Sequence, residues 1–368
     1  MDEIKRASYL YSKLLDLDNI NKAYKVVRSN CRNKRIVSNF DRYRCLYLYR
    51  IFCDLYLNKY ELSRYNIFII SEPKYRLIMS ENIKDKIVNH LICDCILLPA
   101  LSKKLIDSNV ATRKNRGSGL ANKLLRKYIN TLRLKHDKVY VLKMDVKKYF
   151  YNINHDILKK MLRKDIKDKF ALDLIYKVID STNEEYVNRE IDHVRNEEIK
   201  RVSKLKISAG EKNKKIKELK DIPLYFAGKG LGIGNMTSQI LAVYYLNELD
   251  HFIKEDLGCK YYVRYMDDLI ILDYDEKFLK HVFEMVSSKV LEYGLTLNKK
   301  SGIYRLSRGF SFLGYTYKTF DGLVVRINNG TYRKIRKHLN NLYNNDRDKY
   351  YRSVISYKGF FEHKTLVN

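Results

Sequence analysis

Apolar and polar positions recur along this chain in two rhythms, and each rhythm assigns an element. Tyr and Leu repeat at helical spacing around Tyr43–Tyr60, which predicts a helical extension over residues 1–71. Ile87, Leu91, Cys95 and Leu98 share one face of a helix expected from Ile83 to Leu98. That helix is entered from Glu72–Arg76 and is ended or kinked by Pro99. Amphipathic helices are predicted over Leu120–Leu134, His155–Lys164 and Lys169–Ser181, then an apolar one over Ile240–Phe252 and another over Glu276–Tyr293. Val139–Val146 differs: an apolar strand pattern, with Lys143 inside it, ending in one acid, Asp145. Val/Tyr/Ile-rich runs on either side of Met266-Asp267-Asp268 read as a β-hairpin, and Phe310–Tyr315 as a second one. Residues 320–368 form a short basic tail with helical content.

Composition narrows the partners. The 368 residues suffice for two or three packed subdomains. Lys and Arg number 72 against 43 Asp and Glu, a formal +29. That excess suits a polyanionic partner, most simply nucleic acid. The codon bias of an AT-rich genome would explain Lys over Arg but not the shortage of acids. The 32 tyrosines offer rings that could stack on bases, although ordinary core packing uses them equally well. Cys31, Cys45, Cys53, Cys93, Cys95 and Cys259 follow neither zinc-type nor disulfide-framework spacing and read as reduced thiols. Met1–Arg6 is charged, with no signal-peptide core, and no apolar run approaches membrane-spanning length. The expectation is a cytoplasmic protein with no membrane partner. Residues 183–222 concentrate charge and read either as an exposed inserted arm that grips RNA or a partner, or as a solvated loop.

The chemistry centres on acids placed where apolar strands end. Asp267 and Asp268 are adjacent like charges that repel unless a cation neutralises them. Mg²⁺ is the usual neutraliser, because it takes carboxylate oxygens and substrate phosphates together. A solvated turn is the bland alternative for Asp267-Asp268, and a helix or turn cap for Asp145. Brought together, the three would form the ligand set of two-metal phosphoryl transfer, in which one ion activates the attacking hydroxyl and the other holds the leaving pyrophosphate. Asp145 and Asp267 would bridge both ions, with Asp268 to the side. Ala111–Gly119 is a basic loop whose Arg113 and Arg116 suit phosphate oxygens. Gly230–Gln239 is a Gly-rich entry to a helix that permits close approach of a nucleotide. Each loop alone is a common surface turn; their order among the acid-bearing segments ties them to phosphate.

These blocks resemble the fingers and palm of a reverse transcriptase from about Glu72 to Tyr317, with a weaker echo at Ser356–Phe361. The resemblance rests on Asp145 followed five residues later by Phe150, on Tyr265-Met266-Asp267-Asp268, and on Phe312-Leu313-Gly314-Tyr315. It implies an α+β right-hand polymerase: fingers and an antiparallel-sheet palm over 72–318 with a charged insertion at 183–222, a short thumb over 319–368, and the helical extension over 1–71. The implied activity is that of an RNA-directed DNA polymerase, a nucleotidyltransferase. Asp145, Asp267 and Asp268 are then the catalytic and metal-binding residues, joined by the Val146 backbone, around two Mg²⁺ ions for which Mn²⁺ can substitute. The incoming dNTP falls to Arg113, Arg116, Phe150, Ile233, Gly234, Gln239 and Lys300 (or its neighbour Lys299). Phe150 would be the steric gate against a ribose 2′-hydroxyl. Phe312, Leu313, Gly314 and Tyr315 match the primer grip.

One loop points to a subfamily. Most reverse transcriptases carry Gln-Gly at its start and Ser-Pro at its end, where this chain has Ile233-Gly234 and Ser238-Gln239. That form is similar to the enzymes of diversity-generating retroelements, which copy a template RNA into error-rich cDNA. An apolar Ile beside the nascent base pair would remove a geometric check and lower fidelity. The implied partners are template RNA, an RNA–DNA hybrid, dNTPs, and a small basic accessory protein or a second copy of the chain. Defence-associated (antiphage) reverse transcriptases share the core motifs, with unusual templating or priming. A non-catalytic RNA-binding scaffold is the alternative from another class, opposed by the intact acids. The short segment after Tyr317 speaks against a group II intron maturase, which needs a large thumb and further domains.

Overall fold

A computed structural model describes residues 9–31, 33–71, 74–113, 115–319 and 321–361. In chain order come α1 (Leu17–Asn30), α2 (Lys34–Arg42), α3 (Arg44–Tyr56), β1 (Asn66–Ile70), β2 (Arg76–Ser80), α4 (Ile83–Leu91) and α5 (Leu98–Leu101). Next are α6 (Ser118–Arg133), β3 (Tyr140–Asp145), α7 (Tyr149–Asn152), α8 (His155–Asp165), α9 (Lys169–Asp180), α10 (Glu185–Ser203), α11 (Ala209–Lys220), α12 (Met236–Tyr245) and α13 (Asn247–His251). The remainder holds β4 (Tyr261–Tyr265), β5 (Asp268–Asp273), α14 (Glu276–Glu292), β6 (Gly302–Arg305), β7 (Phe310–Phe312), β8 (Tyr315–Thr319), β9 (Leu323–Ile327), α15 (Asn329–Asn345) and α16 (Arg347–Phe361). The chain divides into two compact units. The first comprises Met1–Leu105, Lys148–Asn247 and Tyr293–Leu295; the second comprises Ile106–Lys147, Glu248–Glu292 and Thr296–Asn368.

In the first unit the described leading segment is helical as far as Tyr56, as its Tyr and Leu spacing predicts, but the extension expected to be helical to residue 71 ends instead in β1 at Asn66–Ile70. α1 buries Ile20, Tyr24 and Val27, and α3 buries Leu48, Ile51 and Leu55, each an apolar stripe of helical period. Asp16 and Asn33 start α1 and α2 by accepting backbone N–H bonds from Asp18 and Ile36. The expected approach to a helix at Arg76 is instead a strand: β1 and β2 pair antiparallel, Ile67 opposite Met79 and Ile69 opposite Leu77. Apolar runs of only three or four residues have no period long enough to separate strand from helix, so pairing decides. Glu72 and Pro73 lie outside the described residues. The helix expected over Ile83–Leu98 also differs. α4 ends at Leu91, a π-helical turn spans Ile92–Leu97, and the axis resumes in α5. Pro99 lies inside this continuous helical run, directly after the π-turn, so the helix does not end before it but runs on to Leu101, and its missing N–H falls where the regular ladder is already altered. The charged stretch 183–222 hides an apolar stripe. Val187, Ile191, Val202, Leu219 and Ile222, on and after α10 and α11, pack with Ile67, Leu77 and Met79 of the β1–β2 hairpin.

The second unit is built on a four-stranded antiparallel sheet in the order β4-β5-β3-β6. Val141, Val263, Ile270 and Leu272 join Ala121, Leu125 and Ile129 of α6 in one core. Leu142, Met144, Leu269 and Ile271, which strand alternation turns to the other face, are equally buried. Burial of both faces explains why β5 reads as an unbroken apolar run between its two aspartates and β3 as one broken only by Lys143. A second sheet, β7-β8-β9, contributes Phe310, Phe312, Tyr315, Tyr317 and Val325 to the same core. β6 and β9 are strands that the residue pattern did not announce, and β9 carries this sheet into the segment expected to be a tail.

Candidate active site

The three acids come together through strand register. Asp145 is the last residue of β3 and lies directly opposite Asp268, the first of β5. Directly opposed residues in such a pair have Cα atoms about 4.5–5.5 Å apart. Tyr265 pairs with the same Asp268 across the β4–β5 hairpin, leaving Met266 and Asp267 as a two-residue turn. Met266 has φ +57°, and among the described residues Asp267 is not in the left-handed region, a combination matching a type II′ turn. Gly is the usual residue there, so a Met must be held in place.

Arg264 does the holding. It is fully buried, as is its partner Asp250, and it grips both carboxylate oxygens through Nε at 2.7 Å and Nη2 at 2.6 Å. Its Nη1 donates to the Met266 carbonyl at 2.8 Å, which ties the strained turn to the pair. Tyr262 and Asn109 donate to the same Asp250 carboxylate, at 2.6 and 3.2 Å. On the other strand, Asn298 Nδ2 donates to Asp145 Oδ2 at 3.1 Å and its backbone N–H to the Asp145 carbonyl at 2.7 Å. The Asp145 N–H donates to Ser301 Oγ at 3.1 Å, and the Val146 N–H reaches the Asp267 carbonyl at 3.3 Å. Arg264, Asp250, Asn298 and Ser301 were not singled out from sequence. A lone Arg inside the apolar run Tyr262–Tyr265 was the available signal, since a buried strand carries a charge only when something pairs with it.

Electrostatics at the turn are those of acids short of a cation. Burial, reinforced by the charges of Asp268 and Asp145, pushes Asp267 up to about 6 from an ordinary 3.8. Burial also raises Asp268, opposed by the nearby Lys143 ammonium. Among the described residues, no three His, Cys, Asp or Glu side chains stand as a closed ligand cluster for a metal ion. The acids nevertheless fit a hard divalent cation. They are adjacent in register, partly desolvated and mutually repelling, and Mg²⁺ takes only one or two carboxylates while water and phosphate complete its shell.

The other expected site residues are placed as follows. Arg113 donates to the carbonyls of Ile106 (2.7 Å) and Asn109 (3.2 Å), and burial lowers its pKa. Arg116 pairs with the Asp107 carboxylate at 2.7 Å and also bonds its carbonyl. Both guanidinium groups therefore brace their own loop. Lys299 and Lys300 are exposed on the loop that carries Asn298, whose Oδ1 accepts the Lys300 N–H at 3.3 Å. Phe312 and Tyr315 face each other at the end of the β7–β8 hairpin, with Leu313 and Gly314 as its turn, both at positive φ. In the first unit, Phe150 lies half-buried in α7, its carbonyl accepting from Leu231 at 2.8 Å. The Ile233 carbonyl accepts from Met79 of β2 at 2.8 Å, which docks the loop onto the hairpin. Gly234, at φ +122°, runs so close to β2 that a Cβ would stand 3.1 Å from Ile78 Cγ2 and 3.3 Å from the Met79 carbonyl oxygen. Gln239 is exposed in the first turn of α12.

Comparison with known proteins gives the following. Residues 70–317 match the family described as reverse transcriptase (RNA-dependent DNA polymerase). A Saccharomyces cerevisiae protein described as a COX1/OXI3 intron 1 protein is 26% identical over 184 residues, which are 49% of this chain and 21% of that one. The chain therefore spans only about a fifth of that relative. Among solved structures, apo telomerase of Candida tropicalis, truncated from its C-terminal domain, aligns with TM-score 0.49 and 15% identity over 73% of this chain and 55% of the other. Candida albicans telomerase, solved with a TWJ fragment of telomeric RNA, aligns with TM-score 0.46 and 16% identity over 75% and 46%.

Proposed function

The chain belongs to the reverse transcriptase family, and from that premise we propose that it is an RNA-directed DNA polymerase acting through Asp145, Asp267 and Asp268. Its α+β architecture is accordingly that of a right-hand polymerase. The observation that carries the proposal is the cross-strand pairing of Asp145 with Asp268, with Asp267 in the intervening turn.

In this reading the three carboxylates would hold Mg²⁺ (or Mn²⁺), which would supply activation of a primer 3′-hydroxyl and charge neutralisation for the departing pyrophosphate. The chain's own residues fix where that happens. Asn298 and Ser301 orient Asp145, and Arg264 locks the turn that presents Asp267. The Val146 backbone, bonded to the Asp267 carbonyl, is the proposed fourth contact. Phe150 would bar a ribose 2′-hydroxyl, with Ile233, Gly234 and Gln239 lining the incoming dNTP. Arg113 and Arg116 would meet the triphosphate with the donors their own loop leaves over, beside the exposed cations Lys300 and Lys299. Phe312–Tyr315 would grip the primer. The partners are template RNA, an RNA–DNA hybrid, dNTPs and a small basic accessory protein or second copy.

The test uses purified protein, Mg²⁺, a primed RNA and dNTPs. Asp267→Asn should cut extension by about 10²-fold or more, the scale of losing one preorganised transition-state contact. Equal extension by both proteins would overturn the proposal. Within it, Ile233 in place of the usual Gln supports a low-fidelity enzyme of the diversity-generating kind. Sequenced product should then be cDNA with scattered errors opposite adenines, and Ile233→Gln should reduce them. Homopolymer or untemplated product would favour the defence-associated alternative.

A further inference from the structure

The paired helices α10 and α11 treat their charges in opposite ways. α10, over residues 185–203, carries four Lys and Arg against five Asp and Glu. All four cations are answered on the same helix: Arg189 by Glu185 at 3.6 Å, Arg195 by Asp192, Lys200 by Glu197 at 2.8 Å and Arg201 by Glu198 at 2.7 Å. That is a self-neutralised, solvated face. Residues 204–220 carry seven Lys against two Glu. Two of these lysines have local tasks, Lys212 donating to the Ser203 carbonyl at 3.0 Å and Lys215 lying over the Tyr75 ring. Lys214, Lys217 and Lys220 are exposed and have no ion pair among the described residues.

Their placement is directional. Leu219 is buried and Ile216 half-buried, so that side of α11 faces the β1–β2 hairpin. Lys214, Lys217 and Lys220 follow one another every third residue, about 4.5 Å apart along the axis and about 60° apart around it, so the exposed row winds from the outer side at Lys214 toward the edge of the packed side at Lys220. Glu218 and Glu211 lie about 40° and 60° around from Lys214 but about 100° and 120° from Lys217, so acids flank the first lysine of the row and not the other two. Lysine ammonium groups are point charges and not the Trp, Tyr or Arg anchors of a protein–protein hot spot, and a row of them matches a repeating phosphate backbone.

We infer that the outer face of α11 is a phosphate-backbone clamp for the RNA on which the polymerase works, with Lys214, Lys217 and Lys220 as its contacts. This rests on the reverse transcriptase reading and assigns the charged stretch a role in it. The contacts read charge, not sequence, and so steady a long template without selecting it.

The test is the salt dependence of binding to a stem-loop RNA with a single-stranded 3′ tail. Each neutralised phosphate contributes about 0.7 (single strand) to 0.9 (duplex) to the slope of log K against log salt. The triple variant Lys214→Gln, Lys217→Gln, Lys220→Gln should therefore flatten the slope by about 2 to 3. A matched control, Arg189→Gln, Lys200→Gln, Arg201→Gln, removes as much charge from the paired face and should leave the slope within about 0.5 of wild type. An unchanged slope in the first variant, or equal flattening in both, overturns the inference. Protection of Lys214, Lys217 and Lys220 of the unaltered protein from acetylation by bound RNA gives a second readout, and absence of protection counts against it. Failure of the wild type to bind RNA at all would instead sink the polymerase reading.

Discussion

At the scale of single residues, Asp267 and Arg264 carry the testable consequences. The folded value of about 6 for Asp267 lies above its ordinary 3.8, so the folded chain keeps a proton that the unfolded chain releases. This contribution is complete below pH 3.8 and is lost as pH rises through 6. Without metal, the wild type should therefore lose on the order of 1 kcal/mol relative to Asp267→Asn between pH 5 and pH 8. Mg²⁺ should restore it at pH 8 and bind poorly at pH 5, where it competes with the proton. Melts at both pH values with EDTA or Mg²⁺ check this, and parallel behaviour of the two proteins would contradict it. Arg264 is a positioning residue. Arg264→Met leaves Asp250 as a buried, unanswered charge and should destabilise the fold by about 3–5 kcal/mol in denaturant titration. Restored folding at low temperature should not restore extension, because the Met266 carbonyl would lose its anchor. The acids were legible because charges in apolar runs stand out. Asn298 and Asp250 were not, because polar residues near a strand end have many ordinary uses.

At the scale of elements, the β7–β8 turn shows a contact between segments distant in sequence. Gly314 has φ +84°, and a Cβ there would fall 2.7 Å from the Phe360 ring. That ring, from α16, stacks on Tyr315 with centroids 4.5 Å apart, and the Tyr315 hydroxyl donates to the Phe360 carbonyl at 2.8 Å. Gly314→Ala should cost about 1–3 kcal/mol. In the Phe360→Ala background the steric part of that cost disappears and the backbone part stays, so a double-mutant cycle should show coupling on the order of 1 kcal/mol. Additivity would mean that α16 does not press on the turn. Short strands such as β2 and β6 were illegible for the opposite reason from the acids. Four or five residues carry too few repeats to fix a period, and each becomes a strand only when a partner supplies its hydrogen bonds.

For the whole molecule, the net +29 predicts electrostatic association with RNA. Affinity should fall about 10³-fold or more between 50 and 200 mM salt if six or more phosphates are contacted, measurable by filter binding. A drop of less than tenfold would place most of the charge away from the bound strand. Among the described residues no helix is long and apolar enough to cross a membrane, which agrees with the absence of such a run in the sequence. The sequence alone determined the amphipathic helices outside residues 183–222 and the tail, the β3 strand, the acid-bearing hairpin and the identity of the three acids, because each is written in a local pattern of burial and charge. Tertiary structure decided the rest. Register between β3 and β5 sets Asp145 beside Asp268, a buried Arg264–Asp250 pair fixes the turn, and packing on the β1–β2 hairpin divides a charged stretch into a buried stripe and an outer row of lysines. The physical reason is the same in each case: a side chain's neighbours across strands and helices are chosen by hydrogen-bond register and apolar contact, neither of which a single segment contains.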